Sequence, residues 1–269
     1  MTLSLSSLSP RTAWRPCAVA VAAAAVCMGA SAAEPPFTFD PSAIGLTGAT
    51  FTADNLLISD YSRVTFTGAT TFAETGFLPV AAALSGGGAA ATTGLGSTYG
   101  MYFSYSGTGT TTGGDPTTGD TSGSFTTLTY QLYAYGGAAT FGFDGSNNPT
   151  ESASGEILLA SGSVLTGTVG TDLSGVGPGF TPTASATLTF LVDPGAAGFF
   201  SAPATFYDVI NTTFTHTPSQ VTALADGFTI GGGGGVVNFV SAVPEPQTYA
   251  LMLAGLGALG FVARRRKAD

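Results

Sequence analysis

The feature that most constrains the fold is a short alternation of apolar and polar residues, which recurs along the chain from Phe37 onward. The clearest example is Phe125–Tyr135, where threonine or glutamine separates most of the aromatic and aliphatic residues. Period-two alternation rich in β-branched and aromatic residues is typical of strands with one buried face. Similar runs are Val64–Phe66, Met101–Tyr105, Ile157–Leu159, Ala184–Val192, Phe206–Phe214 and Val236–Val240.

Short strands separated by turn-rich stretches predict an all-β body, with the fold of an antiparallel β-sandwich or a jelly roll. Ser106–Gly123 and Gly142–Gly155 are rich in turn residues and are predicted to be loops. The five glycines Gly231–Gly235 are predicted to form a further loop before the last strand, because glycine has no side chain to pack. The β-rich body is predicted to cover residues 34–240, with helices only at the two ends of the chain.

Charge is sorted along the chain, and this limits the possible partners. The chain has 7 Lys and Arg against 16 Asp and Glu, and Arg63 is the one basic residue between Glu34 and Val243. An acidic surface repels nucleic acid, which binds proteins through Lys and Arg. We therefore exclude nucleic acid as a partner.

Residues 1–33 have the layout of a secretory signal peptide. Arg11 and Arg15 precede the apolar run Cys17–Met28, and small residues follow it. The run is too short to span a bilayer comfortably as a helix, which takes about 20 residues. We therefore predict a signal helix that is removed on export.

Signal peptidase, the expected processing partner, needs small side chains one and three residues before the cut. The predicted cleavage region consists of Ala30, Ser31, Ala32 and Ala33. We expect the mature chain to begin at Ala33 or Glu34. Because Cys17 and Cys27 both precede this point, the mature chain would have no disulfide, no reactive thiolate and no cysteine metal site.

Residues 241–269 are predicted to form a tail with three ordered parts. The first is a Val-Pro-Glu-Pro motif, whose prolines cannot donate backbone hydrogen bonds and favour extended neighbours. The second is the apolar stretch Tyr249–Val262, a predicted short transmembrane helix, and the third is a basic cluster expected to stay in the cytoplasm. The motif residues are Val243, Pro244, Glu245 and Pro246, and the cluster residues that set the topology are Arg264, Arg265, Arg266 and Lys267.

This order of motif, helix and basic cluster resembles the PEP-CTERM sorting signal of Gram-negative bacteria, a tail also known as the ice-binding protein C-terminal domain. The resemblance covers Val243–Lys267. It implies that a transpeptidase-like membrane enzyme, an exosortase, recognises Pro244, Glu245 and Pro246. It also implies export through the inner membrane, transient anchoring by the C-terminal helix, and delivery to the outer envelope or extracellular matrix.

Three body segments are similar to flocculation-associated PEP-CTERM proteins. They are Phe37–Pro41, Phe51–Asp54 and Glu74–Phe77. The similarity implies a structural role in holding cells and exopolysaccharide together, and it transfers no functional residue beyond the tail motif.

Residues that could carry catalysis are few. The single histidine, His216, lies at the end of a predicted strand, where a strand-end or surface role is expected, and no Gly-x-Ser-x-Gly motif supplies a nucleophile for it. Glu151 and Glu156 could be the paired acids of a glycoside hydrolase, but their Ser/Gly-rich segment contains nothing to raise a pKa. A zinc site needs more His or Cys than the mature chain has. We predict no catalytic residue, no metal and no cofactor, and we expect that the protein is not an enzyme.

Two oxygen-rich segments, Asp144–Asn148 and Gly113–Asp120, have the ligand types that calcium prefers. Neither has the spacing of an EF-hand, and Asp, Asn and Gly are also common in ordinary turns. Both interpretations of these segments stay open at this point.

The sequence therefore predicts an exported, non-enzymatic envelope or matrix protein, associated with exopolysaccharide, flocculation or biofilm. Extracellular polysaccharide is the expected ligand because Thr, Ser and aromatic side chains can hydrogen-bond to and stack on sugars. One alternative is a secreted ice- or surface-binding protein, suggested by Thr127-Leu128-Thr129 and Thr187-Leu188-Thr189, although no fixed repeat period joins them. The other is a secreted carbohydrate-active hydrolase.

Overall fold

The computed structural model describes residues 35–90, 94–112, 120–172, 180–241 and 252–256. The chain divides into two units, residues 1–33 and 34–269, and every described residue belongs to the second. The signal peptide with its cleavage region, the Val243–Pro246 motif and the Arg264–Lys267 cluster lie outside the described residues. Of the predicted C-terminal helix, the described part, residues 252–256, is helical and exposed. Within the described ranges, no helix combines the length and the apolar character that crossing a bilayer requires.

The described body is made of sixteen strands and three short 3-10 helices. The first eight strands are β1 (Phe37–Phe39), β2 (Phe51–Ala53), β3 (Asn55–Gly68), β4 (Thr71–Ser85), β5 (Gly88–Ala89), β6 (Tyr99–Thr112), β7 (Thr121–Gly136) and β8 (Phe141–Phe143). The others are β9 (Pro149–Glu151), β10 (Ile157–Asp172), β11 (Thr181–Thr189), β12 (Leu191–Val192), β13 (Phe200–Ala202), β14 (Val209–Thr215), β15 (Val221–Leu224) and β16 (Gly227–Val240). The 3-10 helices are η1 (Pro41–Ile44), η2 (Pro194–Ala196) and η3 (Pro218–Gln220).

Eight antiparallel strands close into a barrel, in the order β3-β4-β6-β7-β10-β11-β14-β16, with β16 paired back to β3. The all-β prediction is confirmed, but the predicted sandwich or jelly roll is wrong. Alternation indicates that one face of a sheet is buried, and this holds both for two packed sheets and for one sheet closed on itself. Closure depends on the pairing of residues 55–65 with 227–238, which no local pattern specifies.

The predicted loops are partly wrong, because several of their residues continue long strands. Ser106–Thr112 belongs to β6 and Thr121–Gly123 to β7, and β8 and β9 form a hairpin within the second predicted loop. Gly231–Gly235 lies inside β16, where pairing with β3 and β14 supplies the hydrogen bonds that a loop would lack. A bulge at Gly231–Gly233 leaves Gly232 with a φ of 77°, a conformation that favours glycine.

Two apolar clusters fill the interior and leave a polar layer between them. The larger cluster includes Phe37 and Phe39 of the small sheet β13-β1-β2, which pack on Phe239 near the end of β16. The smaller one contains Val64, Phe72, Phe180, Phe228 and Ile230. Strands β3 and β4 run through both clusters, so their central inward residues lie between the two.

Candidate functional site

Polar side chains interrupt the inward-facing row of β3. The buried residues of this strand are Leu56, Ile58, Asp60, Ser62 and Val64. Asp60 is only 3% exposed, although an ionised carboxylate is costly to bury without partners. On the neighbouring strand, Glu74 holds the corresponding place between inward-facing Phe72 and Leu78.

His216 directly follows β14 and forms an ion pair with Asp60 inside the barrel. Its Nε2 lies 3.1 Å from Asp60 Oδ2, and its Nδ1 lies 2.8 Å from the carbonyl oxygen of Pro182. A carbonyl only accepts hydrogen bonds, so Nδ1 carries a proton. If the ring were neutral, Nε2 would have no proton, and its lone pair would point at the negatively charged carboxylate. Burial alone lowers the pKa of His216, but the hydrogen bond and charge of Asp60 outweigh it, so the pKa is raised. The geometry therefore fits a doubly protonated imidazolium.

Glu74 and Tyr105 form the second half of the cluster. The Tyr105 hydroxyl donates a hydrogen bond of 2.7 Å to Glu74 Oε1. Burial, followed by the charge of Asp60, raises the pKa of Glu74 to about 7, although the hydrogen bond from Tyr105 opposes the rise. Burial also raises the pKa of Tyr105 well above its usual range, so the phenol remains a donor. The cluster thus combines one ion pair with a carboxyl group that titrates near neutral pH.

Two glycines provide the space that the cluster occupies. A Cβ at Gly233 would lie 2.0 Å from His216 Cδ2, and one at Gly76 would lie 2.8 Å from Tyr105 Cε1. Separations under about 3 Å do not occur between unstrained carbon atoms, so any other residue would displace the ring. The glycine-rich part of β16 is therefore the wall against which His216 packs.

An internal cavity of about 100 Å³ adjoins this cluster. It extends to Thr111, Thr121 and Thr171, near one end of the barrel. Three buried atoms of its wall have no hydrogen-bond partner among the described residues: Asp60 Oδ1, Thr212 Oγ1 and His216 Nε2, of which the last makes only the ion-pair contact with Asp60 Oδ2. The rest of the wall is largely apolar, and its aromatic members include Phe72, Phe103, Phe125, Tyr130, Phe214 and Phe228.

The outer surface of the barrel carries a row of hydroxyl groups. Directly paired positions on five neighbouring strands, β6, β7, β10, β11 and β14, form what we call the hydroxyl face. All of its residues are exposed: Thr110, Ser124, Thr168, Ser185 and Thr213. The five strands contain a single charged residue, Asp172 at the end of β10. Beside this row, Ser106, Thr129 and Ser163 belong to a surface groove of about 440 Å³.

The two candidate acids, Glu151 and Glu156, both lie near Tyr102, whose pKa is raised by burial and by the charges of both glutamates. His216 lies at a strand end as predicted, but it is 3% exposed, so a surface role is wrong. Glu151 Oε2 accepts a hydrogen bond of 2.5 Å from the backbone N–H of Ala153, and Glu156 accepts one from the Tyr102 hydroxyl.

The Asp144–Asn148 segment is a turn linked to Arg63. Asp144 Oδ1 accepts hydrogen bonds of 2.8 Å from the N–H groups of Ser146 and Asn148, and these bonds lower the pKa of Asp144. Arg63 Nη1 donates to the Ser146 carbonyl and to Asn148 Oδ1, at 2.9 and 3.1 Å. The oxygens of this loop thus accept hydrogen bonds from N–H groups of the protein. Residues 113–119 of the other candidate calcium segment lie outside the described residues.

Asp60, Glu74 and Tyr105 belong to no catalytic motif, so the motifs of the sequence do not predict this cluster. A usable signal was present in the alternation of the strands, in which every second residue faces the same side. Asp60 therefore faces the same side as Ile58 and Val64, and Glu74 faces the same side as Phe72 and Leu78. A carboxylate at a core position of a predicted strand indicates a buried polar cluster.

Comparison with known proteins identifies the tail. Residues 242–267 match the PEP-CTERM protein-sorting motif, which confirms the resemblance found in the sequence. This match includes the Val243–Pro246 motif and the Arg264–Lys267 cluster. It implies an exported protein that is processed by an exosortase and sorted to the cell surface. No curated protein and no solved structure matches the chain.

Proposed function

We propose that the barrel is a non-enzymatic polysaccharide-binding domain, retained in the extracellular matrix after processing of the tail. The observation that carries the proposal is the hydroxyl face, an unbroken row across five strands of an exported protein. Each hydroxyl is one donor and two acceptors, which is also the chemistry of a sugar. The absence of charge along the row suits a neutral polymer.

Binding through such a surface depends on many weak contacts. One hydrogen bond that replaces bonds to water contributes about 0.5–1.5 kcal/mol. A polysaccharide presents the same unit repeatedly, so several contacts along one row act together and raise the overall affinity. The groove at Ser106, Thr129 and Ser163 offers further hydroxyls beside the row. These features favour retention of a long polymer over recognition of a single sugar.

The buried histidine supports a role without catalysis. Both nitrogens of His216 face an acceptor, Asp60 Oδ2 and the Pro182 carbonyl, so neither faces a serine hydroxyl. Glu156 is bound to Tyr102, and Glu151 is bound to the backbone of its own segment. These contacts give the acids and the histidine structural partners.

Sedimentation with exopolysaccharide from the producing cells tests the proposal. We expect combined replacement of Thr110, Thr168 and Thr213 by valine to weaken retention by about tenfold or more, because three hydroxyls are lost while strand-forming side chains of similar size remain. The matched control replaces three exposed threonines from other strands: Thr52, Thr150 and Thr222. Equal retention of the two triple variants would refute the hydroxyl face as the binding surface. Shortening of the polysaccharide during incubation would refute the non-enzymatic assignment.

A further inference from the structure

We propose that the cavity inside the barrel binds a small protonated amine with an apolar body. This site lies within the barrel, and of the hydroxyl face on its outside only Ser185 also borders the cavity. The proposal rests on three observations: a buried carboxylate oxygen without a partner, an acidic cluster at the wall, and aromatic rings around the remaining space.

Asp60 Oδ1 defines the polar end of the ligand, because this buried oxygen only accepts hydrogen bonds. Buried polar atoms normally have partners, and an ordered ligand or water is the usual explanation when the protein supplies none. An ammonium group carries three donors and no acceptor, so it matches Asp60 Oδ1.

The charges of the cluster favour a cation over an anion. Asp60 is paired with the His216 imidazolium, and Glu74 adds a second carboxyl group to the same wall. With all three groups ionised, the cluster carries one net negative charge. A bound carboxylate would meet two acidic groups, whereas an ammonium would take the place of the missing positive charge.

The remaining wall accounts for the apolar body. Phe72, Phe125 and Phe214 are among the rings that surround the cavity. Aromatic faces attract cations within about 6 Å and also pack against alkyl groups. The volume of about 100 Å³ is somewhat smaller than the roughly 150 Å³ cavity that admits benzene. The ligand is therefore an amine with a short alkyl chain.

Titration calorimetry with n-butylamine at neutral pH tests this inference, on the exported protein purified from the cell surface. The matched probes are 1-butanol, which lacks the charge, and butyrate, which reverses it. We expect n-butylamine to bind at least tenfold more tightly than 1-butanol, and butyrate to give no binding heat. Methyl NMR signals of Leu128, Ile210 and Val237, which line the cavity, should shift with the amine.

Variants then locate the binding. Asp60→Asn should weaken n-butylamine binding about tenfold, and the surface replacement Asp226→Asn should leave it unchanged. The comparison of n-butylamine with 1-butanol on the wild-type protein decides the case if Asp60→Asn does not fold. Equal binding of n-butylamine and 1-butanol, or wild-type affinity in a folded Asp60→Asn variant, would overturn the proposal. Shifts confined to surface methyl groups would also overturn it, because they would show only attraction to the acidic exterior.

Discussion

Replacing Gly233 by alanine tests whether the glycine run exists to make room for the buried ion pair. The added Cβ would lie 2.0 Å from Cδ2 and 2.5 Å from Nε2 of His216. Neither the ring nor the strand can absorb this overlap without moving, because β16 is paired with β3 at Gly233 and with β14 from Gly234 onward. We expect the ring to shift away and the 3.1 Å approach to Asp60 to be lost.

The expected cost follows from leaving Asp60 buried without its cation. Disabling one partner of a buried ion pair costs about 3–5 kcal/mol. Alanine recovers about 0.5–1 kcal/mol, since glycine loses more backbone entropy on folding. The net loss in the free energy of unfolding should therefore be about 2–4 kcal/mol. With a urea m-value of about 1–3 kcal/mol/M, the unfolding midpoint would fall by roughly 0.7–4 M.

The adjacent glycine provides the control. A Cβ at Gly234 meets nothing within 4 Å, so Gly234→Ala should leave the free energy of unfolding unchanged or slightly raised. Far-UV circular dichroism in urea measures both variants. Equal midpoints for Gly233→Ala and Gly234→Ala would refute the view that this wall positions His216.

Three further predictions concern the cluster, the hairpin and the tail. Because the pKa of Glu74 is raised from 4.5 to about 7, the stability contributed by its proton is complete below about pH 4.5 and is lost as pH rises through 7. The free energy of unfolding, measured by urea titration, should therefore fall between pH 5 and 8 by at most about 3 kcal/mol, and Glu74→Gln should flatten this slope. Arg63 binds the turn of the β8–β9 hairpin and forms a 2.8 Å ion pair with Asp226. Arg63→Ala should therefore lower the free energy of unfolding by about 1–2 kcal/mol and speed amide hydrogen exchange in this hairpin. Unchanged exchange rates would contradict this role. Replacing Pro244 and Pro246 by alanine should leave the chain at full length in the inner membrane, and wild-type size and fractionation of this variant would show that the motif is only a spacer.

Local signals predicted the strands, because alternation is a property of neighbouring residues. Phe125–Tyr135 lies within β7 and Met101–Tyr105 lies within β6, as their patterns indicate. The tail could also be predicted from the sequence, because its motif, apolar stretch and basic cluster follow one another directly. In these parts of the chain, the sequence carries the structural information over a short range.

Closure and the buried cluster depend on contacts that no local pattern contains. β3 pairs with β16, and Asp60 meets His216 across about half the length of the chain. Gly231–Gly235 resembles a linker until His216 is placed against Gly233. The hydroxyl face was missed for the same reason, because its threonines and serines form a row only after five strands have been aligned.

Barrel closure also affects how copies of this protein can meet at the cell surface. A free strand edge presents unpaired N–H and C=O groups, on which another chain can add and start aggregation. The ring has no such edge, and every described strand that ends a sheet or lies off the ring has four residues or fewer. Such short edges offer few consecutive hydrogen bonds to an incoming strand. Within the described residues, the addition of one copy to the strand edge of another is therefore disfavoured.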